Sequence, residues 1–211
     1  MKIHISHTHR MSMTNVIKEN NFIIYMLNID DFKDELDALD KIVWKEKEYI
    51  QHSFDPNIQP IDDPDAELEL VKKRSFGDQS TPGKLSNRNI YRSRKKDDKL
   101  DNIIQSMLNK LEIHFKQRGI HLRGIYSYPP GGVCDWHTNS TGVGKRIYFT
   151  WAEEDNKSFF KYFDNETNQI ITRYDKKGWF INEFEIPTKG RLWHYIGSDT
   201  YRKSIGFLIP I

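Results

Sequence analysis

The sequence predicts a mainly β protein with helices on its N-terminal side, an α+β chain whose second half closes into a jelly-roll barrel. Three observations carry that prediction. From His121 onward, eight segments of strand character begin near residues 121, 133, 145, 157, 168, 179, 190 and 202, separated by Gly, Pro, Asn or Asp. Aromatic residues make up 13% of the chain, and they pack well on pleated surfaces. Two helical stripes precede the strands and do not alternate with them, which predicts a barrel buttressed by helices on one sheet rather than a parallel α/β fold.

Phe22-Ile-Ile-Tyr-Met-Leu-Asn28 is a short apolar run and predicts a strand. Asp30 and Asp31 then supply the cap of a helix. Phe32, Leu36, Leu39, Ile42 and Val43 recur in it at helical spacing, so the helix is expected to reach about Tyr49. Residues 51 to 100 show little periodicity and carry Pro56, Pro60, Pro64 and Pro82. They predict a long loop, acidic around Asp62 to Glu67 and basic from Lys84 to Lys96. Loops of that length inside a compact domain are functional or mobile, and this one is expected to close over a substrate. Leu100, Ile103, Ile104, Met107, Leu108 and Leu111 lie on one stripe and predict a second helix. In the β half, the stretches 145–151, 158–163 and 204–209 are the clearest strands. Asp164-Asn-Glu-Thr-Asn168 and Asp175-Lys-Lys-Gly178 read as hairpin turns.

At 211 residues the chain is long enough for one domain with a sizeable core. It reads as a single domain over 1–211. Residues 1–118 (a strand, helices and the long loop) support a jelly-roll catalytic core over 119–211. A hydrophobic content of 37% with 29% charged residues fits a soluble protein, and a net charge of +2 makes no electrostatic case for a nucleic-acid or membrane partner. The single cysteine, Cys134, excludes an intrachain disulfide and fits a reducing compartment. No stretch approaches the ~20 apolar residues of a membrane span, and the first residues hold no apolar run of signal-peptide length. The expectation is a cytoplasmic protein.

The residues that carry chemistry lie in the β half. They are Tyr128-Pro-Pro-Gly-Gly-Val-Cys-Asp-Trp-His137-Thr-Asn139, then Trp193-His194, then Arg202-Lys-Ser204. A histidine with a short polar residue two places on, a distant second histidine, then an arginine is how a β-barrel builds an open iron site. Period-two alternation places Asp135, His137 and Asn139 on one strand face. Two imidazoles and one oxygen ligand leave three facial positions open on octahedral Fe(II), two for a 2-oxo acid and one for dioxygen. Arg202 is planar and permanently charged, and it can hold a carboxylate through two parallel hydrogen bonds. Ser204 adds a hydroxyl from the same face, and Tyr128 a phenolic donor. The reading is a mononuclear non-haem iron site of the 2-oxoglutarate type, with asparagine at the position where a carboxylate is expected.

With these residues in this order, the chain resembles the 2-oxoglutarate- and Fe(II)-dependent oxygenases, the group that includes prolyl hydroxylases and plant flavonoid oxygenases. Their motif is His-x-Asp, a distant His, then Arg-x-Ser. His137-Thr-Asn139, His194 and Arg202-Lys-Ser204 match it in order and spacing. Tyr128-Pro-Pro-Gly is similar to the Tyr-rich turn before the family's first histidine. The resemblance covers about residues 100 to 211 and, more faintly, the N-terminal helices. It implies a double-stranded β-helix barrel, Fe(II), 2-oxoglutarate as co-substrate, and hydroxylation of a C–H bond in a protein side chain or small molecule. The departure is Asn139, where the family has Asp. An amide oxygen offers a lone pair without charge, so Fe(II) affinity should fall. Asn139 is the first candidate for the third ligand and Asp135 the second. The third is chloride, as in halogenase-like members that lack the acid, and the fourth possibility is a barrel that has lost catalysis.

Two other classes of function fit the same chain. One is a catalytically silent jelly-roll binding module that uses its pocket or basic loop for recognition. The other is a cupin-type metalloenzyme with a different reaction, such as isomerisation. Arg202-Lys-Ser204 separates the oxygenase from the cupin reading, since only a co-substrate carboxylate demands it. His4, His7 and His9 lie near a chain end with no second ligand set and read as unspecialised. Cys134 reads as a packing residue, Arg146 and Tyr148 on the next strand as packing first and pocket lining second, and Trp136, Trp151, Trp179 and Trp193 as core or pocket wall. The basic run from Lys84 reads as a solvated face, with a nucleic acid or acidic protein as the minor alternative partner.

Overall fold

The computed structural model describes residues 16–19, 22–25, 27–42, 49–51, 63–75, 90–93, 97–139, 142–186 and 191–211. The chain begins with a hairpin of β1 (Val16–Glu19) and β2 (Phe22–Tyr25). A 3-10 turn over Ile29–Phe32 leads into α1 (Lys33–Asp40). Then come β3 (Tyr49–Gln51), α2 (Pro64–Ser75), β4 (Tyr91–Ser93) and α3 (Asp98–Phe115). Eight strands follow: β5 (His121–Tyr128), β6 (Gly132–His137), β7 (Gly144–Ala152), β8 (Ser158–Asp164), β9 (Gln169–Tyr174), β10 (Gly178–Ile186), β11 (His194–Ser198) and β12 (Arg202–Pro210).

These eight strands divide between two antiparallel sheets. One has the order β10-β7-β12-β5, extended at its edge by β4 and β3, and the other is β6-β11-β8-β9. The chain changes sheet after every strand except β8, which pairs directly with β9. That winding is a jelly-roll, double-stranded β-helix barrel, as the eight turn-separated segments imply. Seven of the expected starts fall within about two residues of the observed ones, within the usual scatter of element ends. The exception is β11, expected near 190 and beginning at His194.

Three apolar layers follow from strand alternation. The outer face of the larger sheet (Ile125, Ile147, Phe149, Ile205, Phe207, Ile209) packs on Phe32, Leu36 and Leu39 and on the α3 stripe Leu100, Ile104, Met107 and Leu111. Each fully buried side chain of this kind contributes roughly 1.5–3 kcal/mol. The barrel interior holds Tyr128, Phe160, Tyr162, Phe184, Ile186 and Ile196. The outer face of the smaller sheet holds Val133, Trp136, Phe163, Trp193 and Tyr195, covered by Leu68 and Val71 of α2.

Three expectations change. First, α1 ends at Asp40, and Tyr49 belongs to β3, so the helix does not reach Tyr49. Its preceding turn is capped by Asn28, whose Oδ1 accepts from Asp30 N–H at 3.1 Å, rather than by the two aspartates. Second, the stretch from 51 to 100 is not one loop, because α2 forms within it. Asp63 accepts from Asp65 N–H at 3.0 Å and Pro64 takes the first helical position, where its missing N–H costs nothing. Third, Asp175–Gly178 closes no hairpin: β9 pairs with β8 and β10 with β7, so the chain crosses there from one sheet to the other. The helix α2 docks through a polar clasp. Buried Glu67 accepts from Trp136 Nε1 at 2.9 Å and from Lys161 Nζ at 2.9 Å. Residues 52–62, 76–89 and 94–96, which hold most of the basic run, lie outside the described residues, as do His4, His7 and His9. No helix among the described residues is long and apolar enough to cross a membrane.

Candidate active site

The smaller sheet supplies two histidines. β6 ends at His137, β11 begins at His194, and the two are direct cross-strand partners. Their ring centroids are 4.1 Å apart. His137 Nδ1 lies 2.7 Å from Asp135 O, and His194 Nδ1 lies 3.0 Å from Leu192 O. A backbone carbonyl only accepts, so each Nδ1 carries the proton and each Nε2 keeps its lone pair. Such a bond fixes both ring orientation and tautomer for metal ligation. Burial pushes the pKa of His194 well below the ordinary histidine value, and the adjacent His137 acts in the same direction. Phe160 and Phe184 flank the His194 ring at 5.4 and 5.6 Å between centroids.

Asn139 follows two residues beyond the end of β6. Its Nδ2 donates to His194 Nε2 at 3.2 Å. A half-turn of the amide sets Oδ1 in that place, an uncharged oxygen donor beside the His194 Nε2 lone pair. The backbone of this turn is held by Arg146, a buried cation whose Nη2 donates to Gly142 O at 2.7 Å and to Asn139 O at 3.4 Å. Among the described residues no group of three His, Cys, Asp or Glu side chains is placed to share a metal ion. Two imidazoles and one amide oxygen on the wall of one cavity are nevertheless donor types that could hold a divalent transition metal.

Asp135 lies elsewhere. His194 pairs with His137 but Ile196 pairs with Cys134, so β6 spends three residues where β11 spends two. That bulge breaks the period-two alternation and turns Cys134, not Asp135, to the cavity beside His137. The Asp135 carboxylate accepts from the Trp136 N–H at 2.7 Å. Cys134 Sγ is 3.6 Å from His137 Nδ1, and burial, with Asp135 adding, pushes the thiol up to about 12, so it stays protonated.

The larger sheet supplies the other end. Arg202 and Ser204 share the inner face of β12, opposite Tyr128 and Tyr126 of β5. Both are buried. Arg202 Nε donates to Asp175 Oδ2 at 2.8 Å, and the guanidinium sits 5.1 Å from the Tyr128 ring centroid. Burial raises the Tyr128 phenol well above its ordinary value and the Tyr148 phenol to about 12, so both remain hydrogen-bond donors. Tyr148 lies across Gly206, where a Cβ would meet its ring at 2.6 Å, and only glycine leaves room for it.

Tyr128, His137, Asn139, His194, Arg202 and Ser204 all line one cavity of about 230 Å³. That volume suits a small organic acid, being below the roughly 300–1,000 Å³ of sites for larger ligands. Asp135 does not line it, and neither do the four tryptophans read as core or wall. Sequence reasoning missed Tyr126, Asn182 and Phe184 on the lining, and Asp175 behind Arg202. Asp175 carried no signal beyond its place in a turn-like string.

No family model matches the chain, and no curated protein sequence matches it. Solved structures do. A prolyl hydroxylase in complex with a hypoxia-inducible-factor peptide, from Trichoplax adhaerens, is 14% identical over 68% of this chain and 74% of its own, with a TM-score of 0.45. A 2OG-Fe(II) oxygenase family oxidoreductase from Burkholderia pseudomallei is 10% identical over 68% of this chain and 77% of its own, with a TM-score of 0.43. An oxalate oxidase is 13% identical over 43% of this chain, with a TM-score of 0.33, and the chain spans 42% of its length. These are likenesses of fold at low identity, and the chemistry rests on this chain's own residues.

Proposed function

We propose that the protein is a non-haem Fe(II)- and 2-oxoglutarate-dependent dioxygenase. One observation carries this reading. A cross-strand pair of imidazoles, each pinned through Nδ1 to a backbone carbonyl, shares one small cavity with a buried arginine on the opposite sheet. His137, His194 and Asn139 would hold the metal. Arg202, with Ser204 and Tyr128, would hold the distal carboxylate of the co-substrate. When bound, the metal supplies the means of using dioxygen, and the protein supplies orientation and a dry pocket. The overall change splits dioxygen between the two products: 2-oxoglutarate becomes succinate and CO2, and a substrate C–H becomes C–OH. The substrate reads as a protein side chain or small molecule.

The Arg202–Asp175 ion pair favours a second reading, because it already gives the arginine a carboxylate. In that reading the barrel is a cupin-type metalloenzyme without a carboxylate co-substrate. One experiment decides between them: titration of the purified chain with Mn(II), then with 2-oxoglutarate, followed by assay of succinate formation with Fe(II) under air. The oxygenase reading requires metal-dependent 2-oxoglutarate binding and succinate release. Metal binding without affinity for 2-oxoglutarate would move the assignment to the cupin reading, and no metal binding at all would move it to a silent binding module.

A further inference from the structure

Arg202 is held in an unusual way for a residue assigned to a ligand. Its Nε is committed to Asp175 Oδ2 at 2.8 Å, with both side chains almost fully buried, at 3% and 2% exposed. The same oxygen accepts from Ser158 Oγ at 2.7 Å. Asp175 is fixed through its backbone as well. Its N–H donates to Ser158 O at 2.8 Å, and its carbonyl accepts from Asn156 N–H at 2.9 Å. The Tyr128 ring then sits against the guanidinium. Of these residues, Arg202 and Tyr128 line the cavity, whereas Asp175 and Ser158 stand behind it.

A guanidinium has two edges that can grip a carboxylate with a pair of parallel N–H groups, one that includes Nε and one made of the two Nη groups. Asp175 takes Nε, so the first edge is closed to a ligand. The Nη edge is what remains, and its position is set by a carboxylate that is itself anchored at three points. The charge of Arg202 is also offset at the protein end. Binding at the cavity end then depends on the geometry of two hydrogen bonds more than on a net positive field.

We infer that Asp175 is a positioning residue for the co-substrate and sets its length specificity. By fixing Arg202 through Nε, it fixes the distance between the carboxylate-gripping edge and the histidine pair, and so selects one chain length among 2-oxo dicarboxylates. This rests on the oxygenase reading given above.

The test uses the full chain loaded with Mn(II). Calorimetric affinities are measured for oxaloacetate, 2-oxoglutarate and 2-oxoadipate, which differ by one methylene each, in wild type, Asp175→Asn and Ser158→Ala. Wild type is expected to prefer one length clearly. Asp175→Asn should lower affinity for that acid by about tenfold or more, as loss of a charge-assisted contact does. Its preference among the three acids should collapse toward parity, while Mn(II) affinity, set at the other end of the cavity, stays that of wild type. A structural role alone would lower thermal stability without flattening the length preference. Ser158→Ala keeps the ion pair and removes one anchor, and it should shift the same ratio in the same direction by less. It decides the matter if Asp175→Asn does not fold. An undiminished length preference in every variant that folds overturns the inference. A wild-type chain that binds Mn(II) but none of the three acids overturns the oxygenase reading itself, and the inference with it.

Discussion

The two ends of the cavity are held in place by different means. At the histidine end, orientation comes from the backbone: each Nδ1–H meets a carbonyl two residues upstream, on β6 itself for His137 and in the segment leading into β11 for His194. At the arginine end it comes from a side chain far away in sequence, Asp175, in the turn before β10. The first end carries no formal charge on His194 and Asn139, and the second carries a compensated pair. A site held by its own strands tolerates little substitution at the ligands themselves. A site held by a partner can also be retuned from behind.

The largest expected effect is at the histidine end. His137→Ala or His194→Ala should abolish measurable Mn(II) binding, because neither remaining donor set completes a divalent site. Removing a group one bond further out typically costs 10–100-fold in affinity, so loss of a ligand should exceed about a hundredfold. Mn(II) binding by either variant at wild-type strength would place the metal elsewhere, and the comparison between the two ends would lose its basis.

Next in size is Arg202→Lys. Lysine can still pair with Asp175, but it offers a point charge where the cavity has a planar fork. A charge-assisted hydrogen bond contributes about 1.5–3 kcal/mol, so 2-oxoglutarate affinity should fall by roughly tenfold or more while Mn(II) affinity holds. Equal 2-oxoglutarate affinity in the two proteins would show that another group grips the carboxylate.

The two ends were not equally legible. His137, His194, Arg202 and Ser204 stand out because their types and order match one chemistry, and strand alternation alone puts Arg202 and Ser204 on one face. The barrel was legible for a related reason: short strands with turn residues between them leave a strong local pattern. Alternation failed at Asp135, because a bulge is a tertiary adjustment with no local composition to announce it. Asp175 was invisible because a turn aspartate and an arginine partner look alike in sequence until the fold brings β9, β10 and β12 together. α2 was hidden by its short apolar face, Leu68 and Val71, although Asp63-Pro64 is a start signal in its own right.

A smaller effect links the histidine end to stability. Above about pH 6.5, folded and unfolded chains both hold His194 neutral, and it adds no pH dependence. As pH falls below that value, the unfolded chain takes up a proton that buried His194 resists, because its folded pKa is depressed. Stability of the metal-free protein should therefore decline by up to about 1.4 kcal/mol per pH unit until the folded pKa is reached. Urea unfolding between about pH 7.5 and about pH 5.5 measures that slope. His194→Gln should flatten it by the share of one proton. An unchanged slope would mean that His194 is not the group resisting protonation.

The smallest effects separate Asn139 from Asp135. Asn139→Asp adds a negative charge where the amide oxygen would ligate, so Mn(II) should bind several-fold more tightly, a modest gain because one oxygen donor merely replaces another. Asn139→Ala removes the donor and should weaken binding. Asp135→Ala should leave Mn(II) affinity nearly unchanged, because its carboxylate accepts from the Trp136 N–H and does not line the cavity. The carbonyl that orients His137 belongs to the Asp135 backbone and survives the substitution. A reversed order, with Asp135→Ala damaging and Asn139→Ala mild, would mean that the β6 bulge relaxes when metal binds and brings the carboxylate inward. If neither change matters, the two imidazoles hold the ion with small ligands from solution. Mn(II) affinity should then rise with added chloride at constant ionic strength, a dependence that an amide-completed site does not predict.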